Sequence, residues 1–357
     1  MQIGILKEKH DSRVAIVPGS LPKIKDLGVE VLVENSAGAG SMYDDETYAE
    51  HARIVSREEL LEQADLLICI NPPDDAELPR LKEGAVVISQ FQPFLYPEVA
   101  PKLQSLKLVA FSMDMIPRTT LAQTMDVLSS MASIAGYKAV LEAARLLPRY
   151  FPMLITAAGS VRPAKVLVLG AGVAGLQAIA TAKRLGAAVE AFDTRSAAKE
   201  EVLSLGAKFI EVEGARDDTA AGGYAVQQSE EFLQRQRAEV QSRASKSDVI
   251  ITTAQVRGGK APVLVTKETV EQMRKGSVIV DLAASSGGNC ELTQNNQTIL
   301  HNGVQIIGDS NLAALMPEDA SYLYSNNVLN FLKILVKNGA LNLDMDNEII
   351  RGACITK

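Results

Sequence analysis

Histidine and cysteine each occur only three times in 357 residues, and aromatic side chains make up only 4%. The cysteines, Cys69, Cys290 and Cys354, are odd in number and far apart. That argues against a disulfide framework or a metal knuckle, and for buried thiols in a reducing compartment. None of His10, His51 and His301 stands in a catalytic or ligating motif, so no metal is expected. A basic stripe is missing as well: the net charge is −7, with both signs interspersed, which excludes a phosphate-backbone tracker and makes nucleic acid an unexpected partner. Near the start, Lys7, Glu8, Lys9, Asp11 and Arg13 interrupt any apolar secretion signal. The longest apolar stretch, residues 166–182, holds three glycines and a glutamine. It falls short of the roughly 18 residues a spanning helix needs, so no direct membrane span is expected.

What is present is an ordinary globular composition, 47% hydrophobic and 22% charged, with length enough for two domains. Apolar runs at 3–6, 29–33, 66–70, 86–89 and 108–111 read as strands, with a helix at 21–27 stopped by Gly28. Strands alternating with helices imply a mostly parallel sheet. After the first strand stands Lys7-Glu8-Lys9-His10 where a glycine-rich phosphate loop would be, so this domain binds no dinucleotide of its own. From 126 to 147, Val127, Met131, Ile134, Tyr137, Leu141 and Ala144 recur at three- and four-residue steps, the face of a connecting helix that Pro148 and Pro152 close. A second unit reads as strands at 165–169, 188–192, 208–212, 249–253, 278–282 and 304–307. A last helix at 325–337 packs back on the first domain. The expectation is an α/β protein of two Rossmann-like domains with mostly parallel sheets, joined by long helices. The first comprises 1–128 plus 309–357 and the second 129–308.

The strongest local signal is Gly170-Ala171-Gly172-Val173-Ala174-Gly175 between an apolar strand and a helix. Gly170 permits the tight turn, Gly172 admits the pyrophosphate, and Gly175 lets helix and strand pack closely. The helix N-terminus then faces the phosphates. The second strand ends in Phe192-Asp193-Thr194-Arg195, and Asp193 lies 18 residues past Gly175. A carboxylate there accepts ribose hydroxyls and repels a 2′-phosphate, so NAD(H) is expected despite Arg195.

Arg13-Val14-Ala15 with Pro18, the glycine turn, and Asp281-Leu282-Ala283 with Gly287-Gly288-Asn289 resemble the alanine dehydrogenase and transhydrogenase superfamily. The stretch from Met115-Ile116-Pro117-Arg118 through Gln123, Asp126, Ser129-Ser130 and Ala135-Gly136-Tyr137 is similar to the NAD(H)-binding components, domain I, of proton-translocating nicotinamide nucleotide transhydrogenases. The similarity runs over essentially the whole chain. It implies that Arg118, Asp126 and Ser129 hold the carboxamide and ribose of NADH, and that Gln123 reaches toward NADP(H) on a partner component. It also implies a lid at 217–224 whose Tyr224 caps the cofactor, a homodimer, and a membrane-spanning partner that couples transfer to proton translocation. The chain would then dock peripherally on the cytoplasmic side. Met1-Gln2-Ile3 favours a subunit, or at least a true N-terminus, over an excised domain.

The alternative within the superfamily is an alanine dehydrogenase. Oxidising an amino acid moves protons as well as a hydride, which calls for side chains such as lysine and histidine. The matching places here hold Ile70 and Gln92, and neither shuttles a proton. Hydride exchange between two nicotinamides needs only positioning and dryness. Arg13, which in the dehydrogenases binds the substrate carboxylate, reads here as an ion-pair residue. Without the resemblance, Arg118 and Asp126 read as a surface pair at a helix start.

Overall fold

The structure is a computed structural model that describes residues 1–212, 229–256 and 258–356. It divides into two compact units, Met1–Met131 with Ala313–Lys357, and Ala132–Leu312. The first unit begins with β1 (Gln2–Ile5), α1 (Leu21–Lys25), β2 (Glu30–Glu34), α2 (Asp45–Ala49), β3 (Arg53–Val55), α3 (Arg57–Gln63), β4 (Leu66–Ile68), β5 (Val86–Ser89), α4 (Val99–Ser105) and β6 (Val109–Ser112). The division falls within α5 (Val127–Leu146). The second unit holds β7 (Leu154–Thr156), β8 (Gly159–Val161), β9 (Lys165–Leu169), α6 (Val173–Arg184), β10 (Ala188–Phe192), α7 (Ala198–Ser204), β11 (Lys208–Phe209) and α8 (Glu230–Ala244). It continues through β12 (Val249–Thr252), α9 (Lys267–Gln272), β13 (Val278–Asp281), β14 (Thr298–His301) and β15 (Val304–Ile307). The chain then returns to the first unit with α10 (Pro317–Leu335), β16 (Val336–Lys337), β17 (Ala340–Leu341) and α11 (Glu348–Ala353).

The sheet of the first unit runs β3-β2-β1-β4-β5-β6, all parallel. That of the second runs β11-β10-β9-β12-β13-β15-β14, parallel except for β14 against β15. The fold is therefore mostly parallel α/β. Strands read as unbroken Val/Ile/Leu runs because both sheet faces are covered. In β9, Val166 and Val168 join one buried cluster, and Leu167 and Leu169 join the other. The side-chain period of two feeds both cores at once.

The structure departs from the sequence reading in several places. β3, the β7–β8 hairpin and β14 were not expected, and β11 stops at Phe209. α10 starts at Pro317 rather than 325, with Pro at its first position and Glu318 and Asp319 in its first turn. Its core-facing stripe is partly polar. Ser321 Oγ accepts from Val14 N at 2.9 Å and Ser325 Oγ from Val17 N at 3.1 Å, which breaks the apolar periodicity. In the second half of α5 the buried face is Gly136, Ala139, Val140 and Ala143; Tyr137, Leu141 and Ala144 are only half-buried. Small residues sit there because a Cβ on Gly136 would lie 2.1 Å from the Ala174 carbonyl oxygen.

Candidate functional site

The sequence-predicted residues fall into two sets, one in each unit. In the second unit, β9 ends at Leu169 and Gly170 turns the chain with φ +100°. A Cβ on Gly175 would stand 1.8 Å from the Gly170 carbonyl oxygen, so the first turn of α6 closes on the strand end only because both positions are glycine. Gly172 differs. Among the described residues a Cβ there meets nothing within 4 Å, and Gly172 caps α6 without any side-chain hydrogen bond. Ala171 is buried and Ala174 half-buried, while Val173 is 45% exposed. The result is a helix N-terminus of uncapped N–H groups behind open space.

Asp193, directly after β10, accepts from Ala171 N at 2.7 Å and from Arg195 N at 2.8 Å. Arg195 adds Nε and Nη2 to the two carboxylate oxygens, both at 3.0 Å. Burial works against the charged form, but the Arg195 guanidinium and the N–H donors outweigh it and hold Asp193 below the usual carboxylate range. Asp193 thus stays ionised and locked to the turn, with Thr194 exposed beside it. These residues fit a dinucleotide. The open face at Gly172 admits a pyrophosphate, and Asp193 is an ionised acceptor for ribose hydroxyls once the 43%-exposed Arg195 gives way.

The Asp281…Asn289 motif supports this turn from below. Asp281 is fully buried and accepts from Thr252 Oγ1, Ala283 N, Asn289 N, Cys290 N and Thr293 Oγ1 at 2.6–3.0 Å. Asn289 in turn accepts from Ala254 N at 2.9 Å and donates to Ala254 O at 2.8 Å. Next to it, Thr253 Oγ1 donates to Gly170 O at 3.1 Å. The sequence alone marks this motif and Gly136 without assigning either a task. A glycine in a helix interior costs about 1 kcal/mol against alanine, and that is the signal that could have pointed to a packing reason.

In the first unit, the segment after β6 is anchored by buried Ile116, Ala122 and Met125. Between these anchors Arg118 and Gln123 are exposed. Asp126 caps α5: its Oδ1 accepts from Ser129 N at 2.9 Å and its Oδ2 from Ser129 Oγ at 2.6 Å. Among the described residues no ion pair joins Arg118 to Asp126, so the acid is a helix cap and the arginine points into solvent. Ile70 is buried, and Gln92 is exposed with φ +49°. Arg13 is buried and bonds Asp11 through Nε at 3.0 and 3.2 Å. Among the described residues no group of three or more His, Cys, Asp or Glu side chains gathers as a metal site requires. Tyr224 and the segment 217–224 lie outside the described residues.

Two family models match the chain: "Alanine dehydrogenase/PNT, N-terminal domain" over residues 4–135 and "Alanine dehydrogenase/PNT, C-terminal domain" over 139–357. The first of the alpha-subunit polypeptides of the Rhodospirillum rubrum NAD(P) transhydrogenase is 45% identical over 370 residues, covering 100% of this chain and 96% of that one. The crystal structure of transhydrogenase from Sinorhizobium meliloti superposes with a TM-score of 0.91 at 42% identity, covering 99% and 98%. An L-alanine dehydrogenase structure gives a TM-score of 0.83 at 25% identity, covering 99% and 94%.

Proposed function

Because the chain belongs to the alanine dehydrogenase/PNT family, we propose that it is the NAD(H)-binding subunit of a proton-translocating NAD(P) transhydrogenase. Hydride passes directly between NADH on this chain and NADP+ on a partner component. The observation that carries the reading is the Gly170–Gly175 turn with Asp193, set in a chain that matches a transhydrogenase alpha-subunit polypeptide along its whole length.

Bound NAD(H) supplies the nicotinamide ring that gives or takes the hydride. The rest falls to side chains and backbone. The uncapped N–H groups of α6 and its positive end hold the pyrophosphate, with Gly172 giving access. Asp193, with Thr194 and Arg195 beside it, takes the adenosine ribose. Arg118, Asp126 and Ser129 take the carboxamide and the second ribose, and Gln123 reaches toward the NADP(H) component, as in the family. No residue is asked to move a proton. Ile70 and Gln92, at the dehydrogenase's acid–base places, are unfit for it, which suits ring-to-ring transfer. Proton translocation then belongs to a membrane-spanning component. No helix among the described residues is long and apolar enough to cross a membrane. Docking on the cytoplasmic side through partners is what the family resemblance implies. The homodimer is supported by the β7–β8 hairpin, where Ile155 is 71% exposed and Met153, just before it, 61%, a surface for a second copy to cover.

The test is a mixing assay. The chain plus an NADP(H)-binding component should pass hydride from NADH to an NADP analogue, while the chain alone should not turn over alanine with NAD. The alternative, an alanine dehydrogenase-like oxidoreductase, rests on the shared fold and gains if the second activity appears instead. Sedimentation reading a single copy would remove the dimer.

A further inference from the structure

The segment that carries Arg118 and Gln123 is held by the stretch of chain that returns to the first unit after residue 312. On α10, Asn327 and Asn330 stand three residues apart on one helix face. Both aim at one atom. Asn327 Nδ2 donates to the Thr124 carbonyl at 2.8 Å and Asn330 Nδ2 donates to the same oxygen at 3.3 Å. Thr124 lies in the short 3-10 turn Gln123–Met125, directly after Gln123. At the other end of the segment, a Cβ on Gly352 of α11 would come within 2.6 Å of Pro117 Cγ, so the helix sits flush against the residue before Arg118.

Asn327 is 6% exposed, and its Oδ1 is buried with no hydrogen-bond partner among the described residues. The amide orientation is forced, because the reverse would set two oxygens against each other. A buried acceptor without a donor is a net cost to the fold, and an apolar side chain of the same size would avoid it. What the asparagine contributes in return is a fixed Thr124 carbonyl.

We propose that Asn327 is a positioning residue: backed by Asn330, it pins the Thr124 carbonyl and so sets the backbone that presents Gln123. The consequence for hydride transfer rests on the transhydrogenase reading above. Pinning costs stability and benefits geometry, so the two are separable by experiment. Asn327→Leu removes the donor and the stranded acceptor together while keeping the volume. In hydrogen exchange read by mass spectrometry, amides 118–126 of the variant should exchange about tenfold faster, with the rest of the chain unchanged. The mixing assay should lose about tenfold in transfer rate. NADH affinity should stay within about twofold, and the melting temperature should hold or rise. Asn330→Ala, at a half-buried site that tolerates truncation, should loosen the same amides by about threefold, the weaker effect of the longer hydrogen bond.

Unchanged exchange at 118–126 in both variants overturns the proposal, as does a slower transfer that merely tracks a lower melting temperature. A wild-type chain that binds NADH yet passes no hydride to the NADP(H)-binding component sinks the transhydrogenase reading alone. The exchange data then still decide the clamp.

Discussion

The two units thread their parallel strands in the same order, β3-β2-β1-β4-β5-β6 and β11-β10-β9-β12-β13-β15, so residues can be matched by register. Ile5 pairs with Val33 and Ile68 as Leu169 pairs with Phe192 and Thr252. At the same register both units carry an acid, Glu34 as the last residue of β2 and Asp193 directly after β10. Glu34 accepts from Lys7 N at 2.8 Å, and Asp193 accepts from Ala171 N at 2.7 Å. One residue further, the units diverge. The place of Gly172 is taken by Glu8, whose buried carboxylate accepts from Ile70 N at 2.6 Å and Asn71 N at 3.1 Å. In the second unit the matching amide, Ala254 N, is satisfied instead by Asn289. The first unit closes its own crevice with a side chain. The second unit satisfies the same donor from another strand's loop and leaves the space beside Gly172 open. A shared topology does not make a shared site; the residue facing the crevice decides.

Three substitutions in the second unit, with two counterparts in the first, probe that difference. Gly175→Ala has the largest expected effect. Its Cβ would lie 1.8 Å from a backbone oxygen, so a stability loss of about 3 kcal/mol and no measurable NADH binding are expected. Lys7→Ala, at an exposed position of the first unit's matching turn, should stay within about 0.5 kcal/mol. Equal melting curves for the two variants would break the close-packing account. Next comes Gly172→Glu, which transplants the first unit's residue into open space. NADH affinity by fluorescence titration should fall about 100-fold, equivalent to about 2.7 kcal/mol, with melting unchanged. Retained binding would show that the pyrophosphate lies elsewhere. Third, Asp193→Ala should weaken NADH by about tenfold, roughly the worth of a hydrogen bond to a charged group. Glu34→Ala, at the same place in the first unit, should leave NADH untouched and cost about 1 kcal/mol of stability through Arg57 and the Lys7 amide. A loss of NADH affinity in Glu34→Ala would mean that both acids serve one ligand.

How much of this was legible follows from where each signal resides. The Gly170–Gly175 turn and Asp193 were readable because steric necessity fixes residue type: only glycine survives a 1.8 Å contact. Long Val/Ile/Leu strands were readable because both faces of each sheet are covered. β3, with Arg53 at its start, is too short and too polar to show a period, whereas β11 was read at 208–212 and ends at Phe209. The β7–β8 hairpin turns through Ala157-Ala158 with none of the usual asparagine–glycine chemistry. The first eight residues of α10 were hidden by serines that face the core to hydrogen-bond backbone. Arg118 and Gln123 carry no pattern of their own, and family resemblance alone marked them. Asn327 was invisible because its partner is a main-chain carbonyl about two hundred residues away.

The smallest effect separates the units by acid sensitivity. Glu77 of the first unit bonds Arg57 Nε at 2.6 Å and pairs with Lys9 at 2.8 Å, and it accepts from Asp74 N at 3.0 Å. Burial alone would raise its pKa, but Arg57, then Lys9 and the Asp74 amide, overcome that and hold it to about 2 against an ordinary 4.5. The folded-state value is depressed, so the stabilisation is fully present above about pH 4.5 and drains away as pH falls toward about 2. Lys9 is 38% exposed and screened by solvent, so the net worth is discounted to about 1 kcal/mol. Urea unfolding of wild type and Glu77→Gln should therefore differ by about that much at pH 7 and converge by about pH 2–3. Asp193 is also held low in the second unit, yet its Arg195 partner is 43% exposed. Asp193→Asn should therefore show a shallower acid slope than Glu77→Gln. A gap for Glu77→Gln that stays constant from pH 7 to 3 would assign its effect to shape rather than charge. The first unit's turn would then be neutral packing and no longer the electrostatic counterpart of the second.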